Sequence, residues 1–248
     1  MNISQAQKKK FKRFSYIDGF SLCIPVGLGS VDGELGKLTT LKPIYGIGIE
    51  KGVSEKINLG LYLLGGSVEG TENNIYLENF RNDFFQIHLN TYVNLSRLFT
   101  ENYKNDKKTE YKFYSGIGLI WFHTDVFDNF GNFRRTTADG TTRHTALFQK
   151  AGIGVGNVGI YYTRELLIPL GFRIETKLSK RFNAFLDLEY NFVYNDKFDG
   201  TTNYNLLNPN IIGGENSYSN TANDGWIGCK VGVRYKFKSL TLENQRGI

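Results

Sequence analysis

Eight stretches of this chain alternate with a period of two, and that alternation restricts the fold more than anything else in the sequence. In residues 14–29 the even positions Phe14, Tyr16, Phe20, Leu22, Ile24, Val26 and Leu28 are large and apolar, with Asp18 the exception. The odd positions Ser15, Gly19, Ser21, Cys23, Gly27 and Gly29 are mostly small. A period of two places alternate side chains on opposite faces of an extended strand. The first stretch alone runs well beyond the usual strand length of about 5–6 residues. The same alternation returns in 44–53, 57–64, 84–95, 113–121, 166–178, 182–194 and 227–237. Eight long strands, an even number, can pair in an antiparallel order and close on themselves.

The connections alternate in kind. Residues 54–56 and 179–180 are tight turns, whereas 31–41, 69–79, 127–164 and 197–223 are long and polar. Short turns at one end and long loops at the other are the pattern of a transmembrane barrel, with turns periplasmic and loops extracellular. The segment 96–110 falls on the turn side but is long and charged through Asp106, Lys107 and Lys108. It reads as an extended periplasmic turn. Residues 147–155 and 158–163, flanking Gly156 and Asn157, would raise the count to ten strands. The second piece is too short for a membrane strand of about 9–11 residues, so this hairpin is assigned to the third long loop. The fold expected is all-β, an eight-stranded up-and-down transmembrane barrel spanning 14–238, between an N-terminal segment 1–13 and a tail 239–248.

Composition decides which face meets lipid. The mean hydropathy is −0.33 and 22% of residues are charged, and no apolar run approaches the roughly 18 residues of a helical span. A barrel escapes that test because half of each strand is polar. An eight-stranded barrel encloses only enough space for side chains to fill, so small residues belong inside. Many of the 28 glycines fall on the face opposite Leu, Ile, Val and Phe. A soluble lipocalin-like binder would instead carry bulky charged residues on that face. The arrangement expected is therefore apolar outside. Tyr16, Tyr45, Trp121, Tyr190, Tyr194, Tyr235 and Phe237 lie outward near strand ends, where interfacial aromatic girdles form.

The inward face then receives Glu50, Arg173, Glu175, Asp187, Glu189, Lys230 and Arg234. Isolated interior charges are costly and paired ones tolerable, so these seven are expected to form a structural salt-bridge network that plugs the lumen. The turn at 179–180 sets Arg173 opposite Asp187 or one register step away.

Little in the chain points to catalysis or a cofactor. Two cysteines and three histidines leave no material for a disulfide scaffold or a metal cluster. Cys23 is expected inward and Cys229 outward, so they do not bridge. His88 falls inward beside Gln86 and Asn90, and His144 lies in the third long loop. Gly152, Gly154 and Gly156 resemble a phosphate loop, but no helical period follows them. The net charge of +6 is spread over termini, loops and interior, and requires no nucleic acid. Basic residues Arg134, Arg135, Arg143 and His144 offer a contact for lipopolysaccharide phosphates.

At the start, residues 2–7 read either as the tail of a secretion signal, with Ser4 and Ala6 at small-residue positions, or as a plain polar terminus; a signal is expected upstream. The basic residues 8–13 suit periplasmic-side headgroups.

The eight strands, the run IPLGFRIETKLSKRFNAFLDLEY at 168–190 and the final GVRYKF at 232–237 resemble the OmpA/OmpX-like outer-membrane β-barrel superfamily, in the manner of the small porin-like barrels of Bacteroidota. The resemblance implies an outer-membrane location, contact with outer-membrane lipid and lipopolysaccharide, and insertion by the barrel-assembly machinery. It implies a non-enzymatic protein whose loops 127–164 and 197–223 meet a surface or an envelope partner. A narrow channel for small solutes is the alternative. Lipid-modifying barrels share the architecture. The deacylase type places its Ser two residues after a His, and His123, Thr124 and Asp125 lack that Ser.

Overall fold

The computed structural model describes residues 19–33, 35, 40–73, 77–99, 108–137, 162–195, 197–200 and 223–237. Nine strands form among the described residues: β1 (Ser21–Asp32), β2 (Lys42–Gly52), β3 (Ile57–Glu72), β4 (Glu78–Asn94), β5 (Thr109–Asp128), β6 (Phe133–Thr136), β7 (Thr163–Lys177), β8 (Phe182–Val193) and β9 (Gly225–Lys236). Eight of them close a ring in which β5 pairs with β7 and β9 returns to β1. Every ring pairing is antiparallel. The closing seam is continuous, from Ser21 opposite Lys236 to Asp32 opposite Gly225. Closure matters because a lipid-facing strand edge would leave backbone N–H and C=O groups unpaired in hydrocarbon. The short β6 folds back against the end of β5, outside the ring.

The faces are inverted relative to a water-soluble protein. Outward-facing Ile24, Tyr45, Leu61, Leu63, Ile117, Leu188 and Val231 are exposed, whereas Glu50, Arg173 and Asp187 are buried. Exposed aliphatic side chains around a closed ring, with charges sequestered inside, are the solution for a barrel in a bilayer. The molecule is an outer-membrane-type β-barrel. On β4 the outward face stays apolar from Phe85 to Val93, apart from Thr91. At about 3.4 Å per residue and a tilt near 40°, that rise covers on the order of 21 Å, close to the roughly 25 Å of an outer-membrane apolar band.

Above Phe85 the ordinary rule returns. Outward positions become Ser67, Glu69, Arg81, Asp83 and Asp125, while inward Val68, Phe80 and Val126 are wholly or almost wholly buried. β3, β4 and β5 therefore run past the apolar belt on the loop side. There, water lies outside the sheet and the apolar face turns in.

This extension corrects the loop boundaries expected from sequence. The second loop is not 69–79, since β3 continues to Glu72 and β4 begins at Glu78. The third begins after Asp128 and carries β6 before Thr163 opens β7. The alternation weakens there because the inward face mixes polar Glu72, Glu78 and Asn82 with apolar Val68, Phe80 and Phe84. The first strand starts at Ser21 and reaches Asp32, later than 14–29; residues 14–18 lie outside the described residues. So do the basic stretch 8–13, the glycine run, the candidate hairpin 147–155 and 158–163 except its last two residues, His144, residues 201–222 and the tail 238–248; Thr163 belongs to β7. The extended turn begins with a single helical turn, α1 (Leu95–Leu98), capped by the Asn94 side chain accepting from the Arg97 backbone N–H.

Candidate functional site in the barrel lumen

The inward rungs of the turn-side half carry charge because β5, β7, β8 and β9 place Lys112, Arg173, Glu175, Asp187, Glu189, Lys230 and Arg234 on the lumen face. β2 adds Glu50 from across the ring. All are at most 5% exposed. Arg173 lies directly opposite Asp187 in the strand register. Its Nε and Nη2 donate to the two carboxylate oxygens of Asp187 at 2.6 and 2.7 Å, the two-pronged geometry that suits a planar guanidinium. Its Nη1 donates to Glu50 Oε1, and Nη2 also reaches the hydroxyls of Tyr62 and Tyr92 at 3.1 and 3.3 Å. The guanidinium carbon sits 4.0 Å from the centre of the Phe185 ring. Tyr62 donates to Glu50 in turn.

Two further sets flank this centre. Toward the turns, Glu175 accepts from Lys112 at 2.6 Å, from Arg234 at 3.0 Å and from the Asn183 amide. Toward the loops, Glu189 accepts from Lys230 at 2.6 Å, from Tyr114 at 2.9 Å and from Asn191 at 2.8 Å. Four cations thus face four carboxylates. Buried charge pays a large desolvation cost, and this balance, with tyrosine and amide donors adding hydrogen bonds to Glu50, Glu175 and Glu189, offsets it. Of the seven residues expected in the lumen, Glu50, Arg173, Glu175, Asp187 and Arg234 share ion pairs with one another, and Glu189 and Lys230 pair apart from them. Lys112 was missed by the sequence reading, although the same alternation that turns Tyr114 inward turns Lys112 inward as well. The tyrosine donors Tyr62, Tyr92 and Tyr114 carried no sequence signal beyond their parity.

Glycine makes room for these rings. A Cβ on Gly171 would stand 2.3 Å from the Tyr114 ring, and one on Gly48 would stand 2.3 Å from the Tyr62 ring. Each large aromatic lies across the lumen wall over a residue with no side chain.

The loop-side half of the lumen is lined differently. Residues 197–200 enter the mouth, and Phe198 is fully buried. Its ring lies 6.0 Å from that of Phe84 and 5.2 Å from that of Phe122, within a cluster that includes Val126, Leu167 and Trp226. The Phe198 carbonyl accepts from the Asn82 amide at 2.7 Å and the Thr124 hydroxyl at 3.0 Å. Asp199 accepts from the Leu35 backbone N–H at 2.9 Å, and its own N–H donates to Asp224 at 3.0 Å, so the cap ties the first and fourth loops together. Gly200 turns the segment with φ of +83°, a backbone state that favours glycine. In sequence, nothing separates Phe198 from the other apolar residues of the loop, Leu206, Leu207, Ile211 and Ile212. The Asp199–Gly200 pair was the available turn signal.

The remaining candidates fall apart as chemistry. His88 is buried in the lumen with its ring edge-on to Tyr62 at 5.7 Å. His123 is on the outer face, above the belt, 3.1 Å from Asp125. Cys23 is buried and Cys229 exposed, on opposite faces of the wall. Arg134 reaches Asp128 at 3.2 Å. Among the described residues no three His, Cys, Asp or Glu side chains converge as metal ligands.

No family model matches the chain, and no curated protein matches it. Solved structures of small outer-membrane barrels do. Neisserial surface protein A is 10% identical over 88% of this chain and 97% of its own, with a TM-score of 0.46. Ail, the attachment invasion locus protein of Yersinia pestis, crystallised with the heparin analogue sucrose octasulfate, is 9% identical over 89% of this chain and 100% of its own, at 0.45. A major outer membrane protein from Thermus thermophilus is 13% identical over 88% and 99%, at 0.43.

Proposed function

We propose that this protein is a sealed, non-enzymatic outer-membrane barrel that anchors and displays its long loops, 127–164 and 197–223, to a surface or an envelope partner. The observation that carries the reading is Arg173. Fully buried, it is held by Asp187, Glu50 and two tyrosine hydroxyls across the lumen. A solute crossing here must break several charge-assisted hydrogen bonds in a site that excludes water. Phe198 and its aromatic neighbours form a second, apolar barrier above it. Catalysis plays no part in this reading, since a nucleophile needs a base within hydrogen-bond reach. His88 is enclosed against an aromatic ring and His123 is engaged by Asp125.

The environment follows from the same faces. Outer-membrane lipid covers the belt, and lipopolysaccharide phosphates meet the basic residues of the third loop. The barrel-assembly machinery inserts the chain during biogenesis. Planar-bilayer recording tests the central claim. The purified barrel should give no steady single-channel steps across a broad voltage range, and reproducible steps would replace the sealed barrel with a narrow channel.

A further inference from the structure

We propose that the turn-side mouth of the barrel is a binding site for a small phosphate-type oxyanion presented from the periplasmic side. The mouth opens into a vestibule of about 280 Å³, large enough for phosphate or diphosphate. Its lining is strongly one-signed. Arg97, Lys108, Lys112, Lys177, Lys180, Arg234 and Lys236 face only three carboxylates, Glu55, Glu110 and Glu175.

Ion pairs within the wall absorb part of this charge. Arg97 pairs with Glu110 at 2.8 Å, Lys112 with Glu175 at 2.6 Å and Arg234 with Glu175 at 3.0 Å. Lys108, Lys177, Lys180 and Lys236 have no carboxylate within 4 Å among the described residues. For Lys177 and Lys236 the placement is not that of lysines reaching for lipid headgroups. Lys177 continues the inward series Arg173, Glu175, and Lys236 continues Lys230, Arg234, so both stand on lumen rungs. The outward positions at this level are Leu178 and Phe237, both exposed. Lys177 is also locked to the opposite strand end by its N–H donating to the Lys108 carbonyl at 2.7 Å.

Like charges held on one concave wall repel, and low-dielectric walls focus their field. A multivalent anion relieves that repulsion. Serine and amide groups at the rim, Ser54, Asn58 and Asn94, add neutral polar groups for its oxygens. The site is separate from the sealed centre of the lumen and does not depend on whether the barrel conducts.

The test is calorimetric titration of sodium pyrophosphate into the refolded barrel in nanodiscs of phosphatidylcholine. Binding should appear and should weaken as salt rises. The variant Lys177→Gln/Lys236→Gln, checked for folding by heat-modifiable migration, should lose at least tenfold in affinity. Lys177→Arg/Lys236→Arg should restore it, and Lys42→Gln at the opposite mouth should change nothing. Nanodiscs containing phosphatidylglycerol separate the sources: competition there identifies a lipid headgroup as the occupant, and undiminished binding identifies a free phosphate. No pyrophosphate binding, or equal binding by the glutamine variant, overturns the proposal.

Discussion

Arg173 shows how one inward position fixes the requirements of its neighbours. Its guanidinium is fully buried, so any variant that removes it leaves Asp187 and Glu50 charged without their main partner. Arg173→Ala should therefore lose about 3–5 kcal/mol, read as a lower urea midpoint for unfolding from lipid vesicles. The double variant Arg173→Met/Asp187→Leu should lose less than the sum of the two single changes, because it removes both charges of a coupled pair. Additive losses would show that the pair contributes no coupling. Gly171 tests the opposite constraint, space. A Cβ there overlaps the Tyr114 ring, and Tyr114 donates to Glu189. Gly171→Val should cost about 1–3 kcal/mol through overpacking, and a companion Tyr114→Ala should recover part of that loss. Unchanged stability in Gly171→Val would mean the ring moves freely.

At the scale of elements, two features sit beyond the apolar belt. The first is the hairpin joining β5 to β6. Asp128 Oδ1 accepts from the backbone N–H groups of Phe130 and Asn132 at 2.9 and 2.8 Å, and Oδ2 accepts from the Asn132 amide at 3.0 Å. The hydrogen bonds from Asn132, its side chain first, hold the Asp128 carboxyl below its usual range, against a smaller opposing desolvation. A depressed folded-state value means the stabilisation is complete above the unfolded value. It is lost as pH falls through the folded one. Amide protection at Asn132 should thus be constant at neutral and mildly acidic pH and fall only below the ordinary aspartate range. In Asp128→Ala the same amide should be unprotected at neutral pH. The second feature is the cap, residues 197–200. Phe198→Ala removes a buried ring from an aromatic cluster and should cost about 3–5 kcal/mol. It should also let a water-soluble probe reach a cysteine placed at Phe84, which the intact cap shields. Equal labelling with and without Phe198 would show that the cap does not seal the mouth.

For the whole molecule, the governing fact is the exchange of inside and outside at two levels. Within the belt the wall is apolar toward lipid and charged toward the lumen. Above it the sheet is polar toward water and apolar within, through Val68, Phe80, Val126 and Trp226. A ring with Ile24, Leu61, Ile117 and Val231 exposed needs detergent or lipid to stay dispersed, because exposed apolar area of this extent drives association. The folded protein should run at a different apparent mass from the boiled protein on a denaturing gel. A detergent-free monomer with no such shift would contradict the membrane barrel. On the proposed sealed-barrel reading the ion pairs and the aromatic cap block the lumen in series, so a single lumen variant should not open a conducting path.

Strand number, strand faces and the membrane-embedded, inverted arrangement were legible in the sequence, because an extended chain turns successive side chains to opposite faces and that parity survives any tertiary context. Parity alone sent Glu50, Arg173, Glu175, Asp187, Glu189, Lys230 and Arg234 to the lumen. It cannot say which of them meet. Glu50 and Arg173 lie 123 positions apart in the chain and come together only because β9 closes onto β1 and sets the stagger of all eight strands. Lys112 meets Glu175 because β5 pairs directly with β7, across the long third loop. Where the alternation blurs, at the tops of β3 to β5, the chain carries polar residues on one face for water and apolar ones on the other for a core formed partly by Phe198. No local pattern announces a core whose members come from eight strands and two loops. The parity of each strand is a local property of the backbone, whereas contacts across the lumen depend on how the ring is closed, and that is settled only by all the strand pairings together.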